Sequence, residues 1–158
     1  NADRYCVLAD NQIFIVFLNK KMKIESQKFA VVLLDIDDFK SINDQYGHIY
    51  GDQTLQAFSD SMKKNMDNKG IVTRFGGEEF MLVFDDINHE VIEDTLNKVA
   101  EEFALYGKQS KGIELSFSGG VEVFYQEDEI VKLFNRADHK LYYAKHTGKK
   151  KIVFDIDV

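Results

Sequence analysis

Hydrophobic residues recur along the chain at two spacings, one typical of helices and the other of strands. The helical spacing predicts four amphipathic helices, at about 10–25, 51–66, 91–103 and 128–146. Apolar or alternating runs rich in β-forming residues predict strands at 29–34, 71–75, 80–84, 113–117, 121–125 and 151–156. The glycine pair Gly76-Gly77 lies between the predicted strands 71–75 and 80–84, and Gly119-Gly120 lies between 113–117 and 121–125. Each of these two pairs of strands is predicted to form a hairpin, and a bulged meander is the alternative for the second pair.

The order of these elements predicts an α+β fold. Paired strands beside single strand–helix units favour a sandwich in which helices flank a mostly antiparallel central sheet. A doubly wound parallel sheet would need regular alternation of strands and helices, which this order does not provide. The length of 158 residues, 44% of them hydrophobic, suits one domain over 1–158. Within it we expect a linker and N-terminal helix over 1–25 and a core over 29–154.

Composition and charge exclude several classes of protein. The net charge of −7 argues against binding to nucleic acid duplexes, which depends mainly on neutralising phosphates. The longest apolar runs, Ile13–Leu18 and Phe29–Leu34, are far shorter than the roughly 20 residues of a membrane helix, and no secretory signal opens the chain. Cys6 is the single cysteine, so no internal disulfide can form. We therefore expect a cytoplasmic domain without membrane contact.

Three acids in four residues follow the first predicted strand: Asp35, Asp37 and Asp38. Sheets present functional groups at the carboxyl ends of buried strands, and Mg²⁺ prefers carboxylate ligands. Capping of the next helix is the alternative interpretation, and on this run alone it is the favoured one.

The tip of the first predicted hairpin joins two glycines to two acids, Gly76-Gly77-Glu78-Glu79. Glycines let the backbone approach a ligand closely, so this turn suits a site where phosphate and metal meet. If the hairpin lies beside the first strand, Asp35 and Glu78 can hold one or two Mg²⁺ ions, as in polymerases and cyclases that act on nucleoside triphosphates.

Two further segments carry polar groups. Gly47 and Gly51 are expected to interrupt a continuous helix and to leave Asn43, His48 and Asp52 on short helices and turns. An Asn and an Asp that converge can recognise guanine, because the carboxylate accepts from N1–H and the 2-amino group; helix capping is the favoured alternative without further context. Residues 139–154 contain five lysines and no acid, which indicates either a phosphate site or, more simply, a solvated helix end.

Taken together, the motifs resemble the GGDEF family of diguanylate cyclases. The first match reads Asp35-x-Asp37-x-Phe39-Lys40-x-Ile42-Asn43-Asp44-x-x-Gly47-His48-x-x-Gly51-Asp52, and Arg74-Phe75-Gly76-Gly77-Glu78-Glu79-Phe80 follows at the expected spacing. Later segments are similar as well: Ser118-Gly119-Gly120-Val121 and Ala137-Asp138-x-x-Leu141-Tyr142-x-Ala144-Lys145-x-x-Gly148. The resemblance covers about 29–153.

This resemblance implies a palm-like fold shared with polymerases and nucleotide cyclases. It implies that two GTP molecules condense into cyclic di-GMP with release of pyrophosphate, and that Mg²⁺ or Mn²⁺ is held by Asp35, the carbonyl of Ile36 and Glu78. Glu78 would also help to deprotonate the attacking 3′-hydroxyl. Because each domain binds one GTP, catalysis would need a homodimer. An upstream sensor or regulatory domain, in a longer and membrane-anchored protein, would control it.

The resemblance also implies which residues contact the substrate. Lys40 would stabilise charge on the transferred phosphoryl group. Asn43 and Asp52 would bind the guanine, and Lys145 and Lys149 would reach the β- and γ-phosphates. The full set of implied substrate-binding residues is Phe39, Asn43, His48, Asp52, Gly76, Gly77, Lys145 and Lys149.

The chain departs from the family pattern in three places. The segment 3–12 keeps only two residues of the usual opening motif, which puts coupling to an upstream domain in question. Lys149 replaces an arginine and loses its bidentate phosphate geometry. Asp67 and Gly70 stand where many relatives carry an Arg-x-x-Asp product-inhibition site, so feedback inhibition through that site is not expected. The alternative function is a non-catalytic GTP-binding or regulatory module.

Overall fold

The computed structural model describes residues 8–9, 11–24, 28–124 and 129–156. Its helices and strands, in chain order, are β1 (Leu8–Ala9), α1 (Asn11–Met22), β2 (Ala30–Ile36), α2 (Phe39–Tyr46), α3 (His48–Asn65), β3 (Gly70–Gly76), β4 (Glu79–Phe84), α4 (His89–Lys111), β5 (Phe117–Val123), α5 (Ile130–His146) and β6 (Ile152–Val153).

These strands form one sheet in the order β1-β3-β4-β2-β5-β6. The pairs β3–β4, β4–β2 and β2–β5 are antiparallel, whereas the short edge strands β1 and β6 run parallel to their neighbours. Because β2 lies in the middle, its carboxyl end is flanked by the start of β4 on one side and the start of β5 on the other. The predicted α+β fold with a mostly antiparallel sheet is confirmed.

Helices cover both faces of the sheet. Val32 and Leu34 of β2 pack in a core with residues of α3 and α4, such as Phe58 and Phe103. Val31, on the opposite face, packs in a second core with residues of α1 and α5. A strand that is buried on both faces reads as an unbroken apolar run, which explains the sequence of β2.

The two glycine pairs have different structural roles. Gly76 and Gly77 have φ angles of +153° and +41° and connect β3 to β4, so the first predicted hairpin is confirmed. The second predicted hairpin is wrong, because Gly119 and Gly120 lie inside the single strand β5. An added Cβ on Gly120 would lie 2.4 Å from the carbonyl oxygen of Ala137 in α5. Gly120 therefore permits close packing of α5 on the sheet.

Three smaller expectations also meet the structure. Gly47, at a φ of +89°, separates α2 from α3 as predicted, but Gly51 lies inside α3, so the expectation that it interrupts the helix was wrong. The last strand covers only Ile152–Val153 of the predicted 151–156. The helix expected within 10–25 is confirmed as α1, whereas most of the unusual segment 3–12 and Tyr125 lie outside the described residues.

Candidate active site

The carboxyl end of β2 lies against the tip of the β3–β4 hairpin. Asp35 is the register partner of Glu79 in the β2–β4 pair, and the N–H of Ile36 donates to the carbonyl oxygen of Glu78 over 3.3 Å. Glu78 is half-buried, and Asp35 has a side chain that is 18% exposed. Two carboxylates that are far apart in the sequence are therefore neighbours in space, as the proposed metal site requires.

The environment of Asp35 disfavours its charged form. Burial raises the pKa of this carboxyl to about 6, and the negative charges of Glu78 and Glu79 act in the same direction, whereas the ammonium of Lys145 lowers the pKa. A carboxylate that is costly to ionise gains more from a nearby cation than an exposed one does.

We expect Asp35→Asn to stabilise the protein at neutral and alkaline pH. The folded-state pKa lies above the ordinary 3.8, so the folded chain binds more protons between about pH 4 and 6, and the free energy of unfolding falls as the pH rises through that window. Removing the charge should raise the free energy of unfolding by about 1–2 kcal/mol at pH 8, after a discount for solvent screening.

Urea unfolding of both proteins at pH 4 and pH 8, in metal-free buffer with chelator, measures this effect. The difference between Asp35→Asn and wild type should shrink towards zero at pH 4, where the native carboxyl is protonated. A variant that is less stable than wild type at pH 8 would show that the ionised carboxylate has a net stabilising environment.

Lys145 of α5 brings a positive charge to the same strand end. Its ammonium donates to the carbonyl of Ile36 over 3.1 Å and to Oδ1 of Asp37 over 2.9 Å, and it lies 3.5 Å from Oδ1 of Asp35. It also lies 3.3 Å from the carbonyl oxygen of Asp35. The predicted phosphate-binding lysine thus touches two of the predicted metal ligands.

Asp37 is the buried anchor of this arrangement. Its carboxylate accepts hydrogen bonds from the hydroxyls of Ser116 and Ser118, both over 2.7 Å, and from the backbone N–H of Lys150 over 3.0 Å. Burial alone would raise the pKa of Asp37, but the hydrogen bonds from Lys145, Ser118 and Ser116 hold it below its ordinary value. Asp37 therefore remains a carboxylate that connects β2, β5 and the segment after α5.

The basic segment after α5 folds back over the start of α2. Lys149 adopts a left-handed φ of +59°, and its ammonium bonds to Oδ1 of Asp38 over 2.6 Å. This hydrogen bond raises the pKa of Lys149 above its ordinary value. Both side chains are well exposed. The second predicted phosphate-binding lysine therefore lies near the acidic strand end, on its solvent side.

The residues predicted to bind guanine lie around the junction of α2 and α3. The amide of Asn43 lies so close to Gly51 that a Cβ at residue 51 would be 1.8 Å from its Oδ1 atom. Asp52 is exposed and lies at a cleft of about 210 Å³. The other lining residues are Leu55, Gln56, Ser59, Arg74 and Phe80. Arg74 links this cleft to the hairpin turn, because its Nε donates to the carbonyl of Gly77 over 2.9 Å.

The remaining predicted site residues differ in exposure. Lys40, in the first turn of α2, and His48, at the start of α3, are both exposed. Gly76 and Gly77 have no atom within 4 Å of an added Cβ, so the turn is open to a ligand. Phe39 differs from these, because it is 9% exposed and belongs to the hydrophobic core.

The donors at the strand end suit a hard divalent cation. Within the described ranges, no group of three or more His, Cys, Asp or Glu side chains is arranged to hold a metal ion. The donors present are two carboxylates, from Asp35 and Glu78, and the carbonyl of Ile36, and Mg²⁺ takes such oxygen ligands together with substrate phosphates. The contacts of the Lys145 ammonium with Asp35 and Ile36 show that positive charge is accommodated there.

Sequence reasoning left three residues of this region without a role. Asp37, Ser118 and Arg74 all belong to the motifs, but nothing in their spacing indicates which atoms they contact. The hydrogen bond between Ser118 and Asp37 depends on the pairing of β2 with β5, which the prediction of a hairpin at Gly119-Gly120 did not provide. The position of Ser118 directly before Gly119-Gly120 could have indicated that this residue has a role in the site.

The chain is similar in sequence to known proteins. The family described as "Diguanylate cyclase, GGDEF domain" matches residues 1–151. The chain is 33% identical over 143 residues to an uncharacterized membrane protein of Staphylococcus epidermidis, and 33% identical over 124 residues to the diguanylate cyclase DgcP of Pseudomonas aeruginosa. These alignments cover 87% and 77% of this chain, which spans only 40% and 18% of the length of the two relatives.

The fold agrees as well. The active GGEEF domain of a diguanylate cyclase from Vibrio cholerae superposes with a TM-score of 0.83 at 25% identity, over 96% of this chain and 99% of that one. In the part of the chain that is described, no helix combines the length and apolar character needed to cross a membrane. From the match over almost its entire length, the chain belongs to the GGDEF family of diguanylate cyclase domains.

Proposed function

We propose that this domain condenses two GTP molecules into cyclic di-GMP and releases pyrophosphate. The observation that carries the proposal is the convergence of Asp35, Glu78 and Lys145 at one end of the sheet, two carboxylates and an ammonium from three separate segments. Phosphoryl transfer depends mainly on placing charge around the reacting phosphate, and this strand end offers charges of both signs.

In this proposal Asp35, the carbonyl of Ile36 and Glu78 hold Mg²⁺ or Mn²⁺. When bound, such a cation would offset the negative charge of the triphosphate and would make the attacking 3′-hydroxyl easier to deprotonate. Glu78 accepts the proton of the 3′-hydroxyl. Lys145 and Lys149 neutralise the β- and γ-phosphates, and the exposed Lys40 stabilises the charge that develops on the transferred phosphoryl group.

We propose that the guanine lies in the cleft beside Asp52. The carboxylate of Asp52 accepts from N1–H and the 2-amino group, and the amide of Asn43 binds the remaining edge of the base. His48 contacts the nucleotide from the start of α3, and the open turn at Gly76 and Gly77 lets the phosphates approach the backbone. Phe39 acts from the core, by fixing the start of α2.

Gly51→Ala separates base recognition from folding. The new methyl group would displace the Asn43 amide, which is the end of a side chain and can move, while alanine in a helix interior is about 1 kcal/mol more favourable than glycine. We expect the affinity for a non-hydrolysable GTP analogue, measured by calorimetry, to fall about tenfold. The free energy of unfolding should stay equal or rise. Unchanged affinity would show that Asn43 does not bind the base.

The assembly follows from the number of binding sites. Each domain offers one set of these residues, so two domains must face each other for both 3′-oxygens to attack. We propose that a homodimer is the active form and that an upstream regulatory domain controls its formation. Because one relative is described as a membrane protein, we propose that the full-length protein is membrane-anchored, with this domain in the cytoplasm where GTP is available.

We propose that cyclic di-GMP does not inhibit the enzyme through the positions of Asp67 and Gly70. A Cβ at residue 70 would lie 1.7 Å from the carbonyl oxygen of Val83, and the φ of Gly70 is +155°. An aspartate therefore cannot stand at residue 70 without a shift of the β3–β4 pair.

The proposed activity is tested by fusing the domain to a dimerising coiled coil and incubating it with GTP and Mg²⁺. We expect cyclic di-GMP and pyrophosphate, and the absence of both while GTP is bound would overturn the proposal.

The second candidate function is a GTP-binding regulatory module. The bond between Lys149 and Asp38 favours it, because this bond must break before Lys149 can reach a phosphate. If the domain is such a module, calorimetry should detect GTP binding, but no pyrophosphate should be released.

A further inference from the structure

The ammonium of Lys145 and a divalent cation need the same oxygen atoms. Lys145 contacts the carbonyl oxygen of Ile36 over 3.1 Å and lies 3.5 Å from Oδ1 of Asp35, and these are two of the three ligands assigned to the metal. Two positive charges that share these ligands at such distances repel each other strongly. Binding of the metal therefore requires the ammonium to leave these two oxygens.

Asp37 provides the second partner that makes this exchange possible. Its Oδ1 lies 2.9 Å from the Lys145 ammonium, and its side chain is only 3% exposed. The hydroxyls of Ser116 and Ser118 and the N–H of Lys150 fix the carboxylate in place. Lys145 can therefore rotate away from Asp35 and Ile36 while it keeps its bond to Asp37.

We propose that Lys145 is a built-in competitor of the divalent cation and that Asp37 is the positioning residue that holds Lys145 during the exchange. The inference rests on the proposed function, which supplies the metal ligands. Its consequence is that the metal binds weakly to the free domain. Metal binding tightens when the phosphates of GTP give Lys145 a new partner, so the two ligands bind cooperatively.

The affinity for Mn²⁺ without nucleotide tests the competition, with free Mn²⁺ measured by electron paramagnetic resonance. We expect Lys145→Met, which removes the ammonium and keeps an apolar side chain of similar length, to bind Mn²⁺ about tenfold more tightly than wild type. Lys150→Met is the matched control, because it removes the same charge from a lysine of the adjacent basic segment whose ammonium bonds to the exposed Glu114 instead. It should change the affinity by less than about twofold.

Equal tightening in the two variants would assign the effect to net charge and would overturn the inference. The same holds if Lys145→Met binds Mn²⁺ no more tightly than wild type. If Lys145→Met does not fold, Lys145→Gln serves in its place, because it also lacks the positive charge.

A second arm measures Mn²⁺ binding in the presence of a non-hydrolysable GTP analogue, with the Mn²⁺ that the analogue alone binds subtracted from a titration without protein. Wild type should gain Mn²⁺ affinity from the nucleotide, and Lys145→Met should gain clearly less. If wild type gains and the variant gains equally, the inference fails and the proposed function stands. If wild type binds no Mn²⁺ even with nucleotide, the proposed metal ligands are wrong and the inference falls with them.

The role of Asp37 is tested by a double-mutant cycle. Asp37→Asn should weaken Mn²⁺ binding about threefold or more in the wild-type background and by less than about twofold in the Lys145→Met background, because Asp37 acts through Lys145. Equal effects in both backgrounds would show that Asp37 acts directly through its charge or through general structure, and would remove it as a positioning residue.

Discussion

Glu78→Gln is expected to lower the rate of cyclic di-GMP formation by about a thousandfold. The change keeps the size of the side chain but removes one of the two carboxylates at the strand end and the proposed proton acceptor for the 3′-hydroxyl. The backbone carbonyl of Glu78, which accepts from the N–H of Ile36, is unaffected, so the contact between the hairpin and β2 should persist. The loss should therefore fall on kcat in the dimerised domain, with cyclic di-GMP measured by chromatography.

Glu101→Gln is the matched control for this variant. Glu101 is an exposed acid on α4, and its replacement by glutamine removes the same charge from a helix surface. We expect its activity to stay within about twofold of wild type and neither variant to have a urea midpoint below that of wild type. Activity within tenfold of wild type in Glu78→Gln would contradict the assignment of Glu78 as metal ligand and proton acceptor.

The sequence was sufficient to place Asp35 and Glu78 within their own elements, because both lie where local patterns are clear. Asp35 ends an apolar run bounded by charged residues, and Glu78 follows a glycine pair between two β-rich segments. The relation of the two elements still had to be assumed. The observed sheet order places β4 beside β2, so the two elements are indeed neighbours.

The contacts of Lys145 could not be predicted in the same way. The resemblance assigned Lys145 to phosphate, and its present partners depend on how α5 packs against β2 and β5. The same holds for Asp37, because Ser116 directly precedes β5 and Ser118 lies within it. The strand β5 pairs with β2 although the two strands are far apart in the sequence. The spacing of hydrophobic residues indicates which face of a single helix or strand is buried. These hydrogen bonds depend instead on the relative positions of three elements, α5, β2 and β5.

The wrong prediction at Gly119-Gly120 has a physical reason as well. Glycine is common in tight turns, where it tolerates positive φ, and also in strands that another backbone approaches closely. A sequence alone does not distinguish these two uses. Here the second applies, because Gly120 faces the backbone of α5.

Gly120→Ala is therefore expected to lower the free energy of unfolding by about 3 kcal/mol. Its Cβ would lie 2.4 Å from the carbonyl oxygen of Ala137 and 2.7 Å from the backbone nitrogen of Leu141. Both are backbone atoms of α5, so rotation of a side chain cannot relieve the clash and the helix itself must move. Urea unfolding measures the loss, and because α5 carries Lys145, the affinity for a GTP analogue should fall even where the variant remains folded.

Gly112→Ala separates crowding from backbone strain. Gly112 follows α4 with a φ of +64°, and no atom lies within 4 Å of an added Cβ, so alanine there costs only the left-handed conformation, about 1 kcal/mol. If Gly120→Ala is no more destabilising than Gly112→Ala, α5 can retreat from the sheet at little cost. The position of Lys145 over the strand end would then not depend on the close contact of α5 with β5 at Gly120.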